Sequence, residues 1–274
     1  MSFGPNPWQQ QSWDWRAAGN FICGGAGGGL IVCAALLDAP RWLMLAGAVW
    51  VGLGLGSVWL EIGRPWRALH VYFNPRTSWM SREAFVAPVL FAAVAAAWFE
   101  VPLTQHVAAL LALVFVFCQA RILQAAKGIP AWREPRLVPL IVATGLAEGS
   151  GLLLLLVASS GAATAAQWVL FAIALLARAL AWVSWRERIA VARPALTALD
   201  RAGAVFWVCT VLPLAVAVFA IVASLPADAV RALQVTSGAL AVVGGAWFKF
   251  TLLTRGAFNQ GFALAHLPVR GVRR

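Results

Sequence analysis

Long apolar runs, separated by short polar stretches, dominate the pattern along this chain. Runs longer than about 18 residues are long enough to cross a bilayer as helices. Eight candidate spans can be drawn, at about 17–37, 41–62, 83–101, a fourth that follows a Pro102 turn and reaches Gln124, then 137–158, 167–185, 202–225 and 230–254. The pattern predicts an all-α polytopic membrane protein, an eight-helix bundle. A Trp-rich interfacial segment (1–16) precedes the membrane domain (17–254), and a basic tail (255–274) follows it. Residues 185–201, WRERIAVARPALTALDR, read as an amphipathic helix on the membrane surface between the sixth and seventh spans.

Two spans are rich in glycine. The first contains Gly24, Gly25, Gly27, Gly28 and Gly29, and the second Gly52, Gly54 and Gly56. Small residues at such density predict faces that neighbouring helices or a ligand approach closely.

The densest polar chemistry lies between the second and third spans. Residues 59–85, WLEIGRPWRALHVYFNPRTSWMSREAF, carry Glu61, Arg64, Arg67, His70, Arg76, Arg82 and Glu83. Gly63 can stop a helix, Pro65 lacks a backbone N–H, and Asn74-Pro75 reads as a turn. Ser81 is placed to cap the next helix, with Glu83 in its first turn. The stretch is therefore a structured connection at a membrane surface. Its simplest reading is a basic loop that only sets topology.

Composition agrees with the class: 62% of residues are hydrophobic and 11% charged, where soluble domains have about a quarter charged. A net charge of +11 would suggest nucleic acid in a soluble chain, but here the cations fall between apolar runs. They read as topology signals and as lipid or partner contacts, not as a nucleic-acid surface. With eight spans, 18 of the 21 basic residues lie on the side of both termini. That asymmetry predicts cytoplasmic termini in a bacterial inner membrane, with the 59–85 stretch on the same side. No cleavable signal segment is evident in the polar first sixteen residues.

Metal chemistry finds few ligands. Cys23, Cys33, Cys118 and Cys209 are isolated in apolar runs with no CxxC pair, which argues against an iron–sulfur cluster or zinc held by this chain. His70, His106 and His266 lie at or beyond helix ends, which disfavours haem.

Charge at membrane depth is costly and usually has a role. Glu148 falls near the middle of the fifth span, flanked by Gly145, Gly149 and Gly151; Lys249 and Arg178 lie in the last and sixth spans. Glu148 either pairs with Lys249 or Arg178, or is simply protonated, and only helps assembly, or it accepts or relays a proton in a cavity between helices. Glu61 is the sharper candidate for proton transfer, because a carboxyl beside an apolar slot can exchange a proton with a quinone or quinol. Its plainer alternative is a surface pair with Arg64.

The segment W59-L-E-I-G-R-P-W-R-A with R76-T-S-W-M-S-R-E83 resembles the hallmark stretch of the dimethyl sulfoxide reductase membrane-anchor family, whose architecture is also eight helices. The C-terminal R255-G-A-F-N-Q-G-F-A-L-A-H-L-P-V-R-G271 is similar to that family's closing tail. Within the group, GPNPWQQ…WDWRAAGNF and FNQGFALAHLPVRG look most like the membrane subunit of phenylacetyl-CoA:acceptor oxidoreductases. The resemblance implies a quinone-reactive subunit without its own metal centre, anchoring an iron–sulfur subunit that is wired to a molybdopterin catalytic subunit. These anchors typically have His where Glu61 stands here, a change that alters the proton chemistry and leaves the direction of electron flow open. Combined with the residue reading, Glu61 is the expected proton-transfer group. Arg64 and Arg82 are expected to tune it or hold a quinone head, and Trp59 and Trp79 to pack on the ring. His70, Glu148 and Lys249 are secondary candidates. Two further classes stay open: a transporter with a midplane site at Glu148, and a purely structural anchor without quinone chemistry.

Overall fold

The computed structural model describes residues 3–60, 65–223 and 225–262. It is all-α, with eight helices long and apolar enough to cross a membrane. In chain order these are α1 (Trp15–Leu36), α2 (Trp42–Trp59), α3 (Trp79–Trp98), α4 (Thr104–Ala125), α6 (Leu137–Val157), α7 (Ala165–Arg186), α8 (Arg193–Val222) and α9 (Ala227–Thr254). A four-residue helix, α5 (Pro130–Arg133), lies between α4 and α6, and a 3-10 helix (Pro65–Phe73) between α2 and α3.

The spanning helices form two antiparallel four-helix groups. In the first, α1 packs on α2 and α4, and α3 packs on α2 and α4; in the second, α6–α7–α8–α9 closes through α6 against α9. α1 also packs on α6 and α9, so it is the hub that joins the groups. Glycine makes those approaches possible. A Cβ at Gly29 would lie 2.0 Å from the Gly145 carbonyl oxygen, and one at Gly27 2.5 Å from that of Gly47. Gly24 faces Gln119 on α4, and Gly25 faces Lys249 on α9. The close-approach expectation for the first span therefore holds, with the small positions shared among α2, α4, α6 and α9. Gly149→Ala, whose Cβ would sit 2.0 Å from the Gly29 backbone, is expected to destabilise the bundle by about 1–3 kcal/mol or more. Gly56→Ala, in the helical part of α2 with nothing within 4 Å, should be neutral or slightly stabilising. Thermal survival of the monodisperse chain in detergent compares the two.

The surface helix expected at 185–201 is not a separate element. Residues after Arg186 turn, and Arg193 then starts a continuous 30-residue helix that runs through the seventh span. Pro194 occupies a first-turn position, where its missing N–H costs nothing, and no breaker separates Asp200 from Ala202. At 1.5 Å per residue α8 is about 45 Å long, more than a bilayer core, so its first turns project beyond it.

The start of α3 also differs from expectation. Ser78, not Ser81, is the N-cap, its side chain accepting from the Ser81 N–H at 3.3 Å. The helix therefore begins a turn earlier, and Glu83 lies buried beyond its first turn rather than in it.

The described ends of the chain meet. Gly4 N–H donates to the Gln260 carbonyl, Gln10 N–H to that of Ala257, and Gln10 Nε2 to the Leu253 carbonyl at the end of α9. Carbonyls left open where a helix stops are thus satisfied by the N-terminal segment. The same clasp sets Trp13 against Phe21 and Trp132.

Candidate functional site

Between α1, α2, the 3-10 helix and α3 lies a cavity of about 970 Å³. Its size is at the upper end for small-molecule sites, and its wall is mostly apolar, as such sites usually are. Gly52 and Gly56 leave the α2 wall open, while Gly54 between them packs on the Gly24 and Asn20 backbone of α1. The second glycine series therefore serves both a helix contact and a cavity. Aromatic side chains frame the space: Trp13 from the N-terminal clasp, Trp59 at the end of α2, Trp66 and Tyr72 from the 3-10 helix, and Phe91 from α3.

Few polar groups converge on this wall. Glu83 is the one carboxyl among the described lining residues, only 5% exposed. Asn20 Nδ2 donates to Glu83 Oε1 at 3.4 Å, and Gln119 on α4 lies beside the same carboxyl. Gln119 Nε2 is itself tied to the Asn20 carbonyl at 3.0 Å, which steadies the pair. Four residues on from Ala84, Pro88 has no N–H to give the Ala84 carbonyl, so that acceptor on the cavity wall lacks its helical donor. The arrangement is an apolar, ring-sized space with a carboxyl and an amide at one wall. It can hold a flat apolar molecule, orient a polar edge and exchange a proton.

The expected site residues are distributed unevenly around it. Glu61 and Arg64 lie outside the described residues, as does His266. Trp59 is on the cavity wall, more than half exposed. Trp79 is not among the lining residues. It packs edge-on against Phe117, and the guanidinium carbons of Arg82 and Arg121 lie 4.0 Å and 4.6 Å from its ring centre. Arg82 donates to the carbonyls of Pro75 (2.9 Å) and Arg76 (2.7 Å), so it pins the 74–78 turn onto α3. His70 is exposed and lies against Phe73.

Glu148 and Lys249 form a separate centre. Both have zero exposure, and Lys249 Nζ lies 2.5 Å from Glu148 Oε2 and donates to the Phe21 carbonyl at 2.9 Å. Of the two cations within reach in the sequence, the direct partner of Glu148 is Lys249. Arg178 instead donates to the Ala241 and Cys209 carbonyls and to Thr210 Oγ1. Gly25 and Gly245 leave the room this pair needs: a Cβ at either would lie within 2.4 Å of Lys249 Nζ or Glu148 Oε1.

The sequence pattern under-weights Glu83 and gives no role to Asn20 or Trp13. Asn20 does carry a signal, being a lone amide near the start of a glycine-rich span. Its spacing of 63 residues from Glu83 gives no hint that the two meet. Among the described residues, no group of three or more His, Cys, Asp and Glu could hold a metal ion.

No family model matches the chain. One of the subunits of the sulfite dehydrogenase of Allochromatium vinosum is 34% identical over 116 residues, which covers 35% of this chain and 36% of that protein. The match thus spans about a third of the length of that relative. The chain is a multi-pass helical membrane protein, by its eight apolar spans, and part of it is similar to a sulfite dehydrogenase subunit.

Proposed function

We propose that this chain is the quinone-reactive membrane subunit of a multi-subunit oxidoreductase. It would exchange electrons between the membrane quinone pool and a docked iron–sulfur subunit wired to a molybdopterin catalytic subunit. The observation that carries the reading is the cavity with Glu83 and Asn20 at its wall. A quinone bound there would supply two-electron, two-proton chemistry. The residues present suit it: aromatic side chains for the ring, an apolar space for the chain, Asn20 to orient a ring oxygen, and Glu83 to give or take a proton at its carboxyl. Glu61 and Arg64, which follow the cavity-lining Trp59 in the chain, are proposed to serve the same proton exchange. The likeness to a sulfite dehydrogenase subunit supports membership of a redox complex, and the motif at 59–83 supports an anchor of the dimethyl sulfoxide reductase type. Phenylacetyl-CoA oxidation is one reaction such a complex would serve.

The 3-10 helix and most of the cations share the face that carries both described ends of the chain. By the positive-inside rule that face is cytoplasmic, in a bacterial inner membrane, and it is the surface on which the iron–sulfur partner would dock.

The test is quinone binding to the purified chain. Menaquinone or ubiquinone analogues should quench Trp fluorescence. Gly56→Phe, which grows into open space on the cavity wall, should abolish that quenching while leaving the chain monodisperse. Equal quenching by wild type and Gly56→Phe would remove the cavity from the proposal.

A further inference from the structure

A second recess lies on the same face, apart from the quinone cavity. It encloses about 260 Å³ and is lined by Lys127, Arg133, Glu134 and Arg188 with Pro130 and Pro135. In the sequence such cations read only in general terms, as topology signals and surface contacts. Their placement goes further.

The recess is held rigidly. Its floor is α5, and two buried indoles rivet that helix to its neighbours. Trp132 Nε1 donates to the Leu252 carbonyl on α9 at 3.0 Å, and Trp185 Nε1 on α7 donates to the Ala131 carbonyl at 3.2 Å. Lys127 follows the end of α4 by two residues and Arg188 the end of α7 by two, while α6 begins at Leu137. The recess is therefore at the level where spans end and headgroups begin.

Two of its cations are also available. Neighbouring cations are already engaged: Arg136 donates to Ser184 Oγ at 2.7 Å, and Arg186 pairs with Asp200 at 2.7 Å. Glu134, the one acid in the wall, accepts from the Arg136 N–H at the start of α6. Lys127 and Arg188 have no ion-pair partner among the described residues. Arg133, also on the recess wall, sits against the Gln260 amide. Lys127 and Arg188, unpaired among the described residues beside a small, preformed hollow at headgroup depth, match a phosphodiester attached to acyl chains, and basic pockets of this kind between spans take anionic headgroups. We propose that this recess binds the phosphate headgroup of an anionic phospholipid.

Native mass spectrometry of the full chain released from nanodiscs of mixed phosphatidylglycerol and phosphatidylcholine tests the assignment. Wild type should retain phosphatidylglycerol in preference to phosphatidylcholine. The exposed double variant Lys127→Gln/Arg188→Gln should bind phosphatidylglycerol roughly ten- to thirty-fold more weakly. The charge-matched control Arg193→Gln/Arg201→Gln, on the exposed start of α8, should keep wild-type retention. Equal loss in both double variants would overturn the proposal, because net charge and not the recess would then be at work. Unchanged retention in the first variant would overturn it as well. An arm with inorganic phosphate alone separates the sources: displacement of the retained lipid by millimolar phosphate would assign the recess to the free ion instead.

Discussion

Glu83→Gln is expected to cut quinone-coupled electron transfer by the intact complex at least about a hundredfold, the lower end of what a positioned proton-transfer group contributes. The substitution keeps the shape of the side chain and can still accept from Asn20 Nδ2, so co-purification of the partner subunits should not change. What it removes is the ionisable group on the cavity wall. The readout is quinol oxidation or quinone reduction at saturating quinone, with assembly checked by size exclusion. Turnover within twofold of wild type in an assembled complex would strip Glu83 of the role. Glu61→Gln run in parallel then decides between the two carboxyls: collapse in Glu61→Gln alone would move the proton exchange to the 61–64 segment. Asn20→Ala should weaken quinone binding more than it lowers the maximal rate, because an amide that only orients a ring oxygen takes no part in moving a proton.

Lys249→Met should have the largest effect on stability of these single changes. It leaves the Glu148 carboxyl with zero exposure and without its ion partner, and it strips the Phe21 carbonyl of a donor. Breaking one half of a buried pair costs about 3–5 kcal/mol, which in a chain of this size lowers the midpoint of heat survival in detergent by roughly 10 °C. The double variant Glu148→Leu/Lys249→Met should recover most of that loss, since a buried pair replaced by apolar groups is often neutral. Recovered stability with retained electron transfer would mean the pair serves to hold α1, α6 and α9 in register. Recovered stability with electron transfer lost would show that the pair also serves the chemistry.

Much of this molecule is legible in its sequence. Eight apolar runs suffice for eight spans, because a backbone in lipid must satisfy its own hydrogen bonds and a helix is the local way to do so. Most span ends fall within a few residues of where the pattern puts them, the seventh being the exception. There the charged run 185–201 reads as amphipathic, yet nothing in it stops a helix once Pro194 has started one. Charge and depth leave two partners open for Glu148, and geometry selects Lys249 over Arg178. Trp79 reads as a ring contact for a ligand and Arg82 as a group that tunes Glu61 or holds a quinone head; in the fold the Arg82 guanidinium stacks on Trp79 and donates to carbonyls of the 74–78 turn.

Class, number of spans and the side preference of the cations are thus determined by local composition, which acts wherever it occurs along the chain. The cavity is not. Gly52 and Gly56 look like Gly54 in sequence, and only the approach of α1 makes one a contact and the other two a wall. Glu83 faces Asn20 across 63 residues, and Lys249 meets Glu148 across 101, because helix packing brings them together. Such meetings depend on which faces of eight apolar helices pack. Helix packing in lipid is decided by close fit and buried polar contacts rather than by apolar pattern, so only the tertiary structure could place the carboxyl in the cavity.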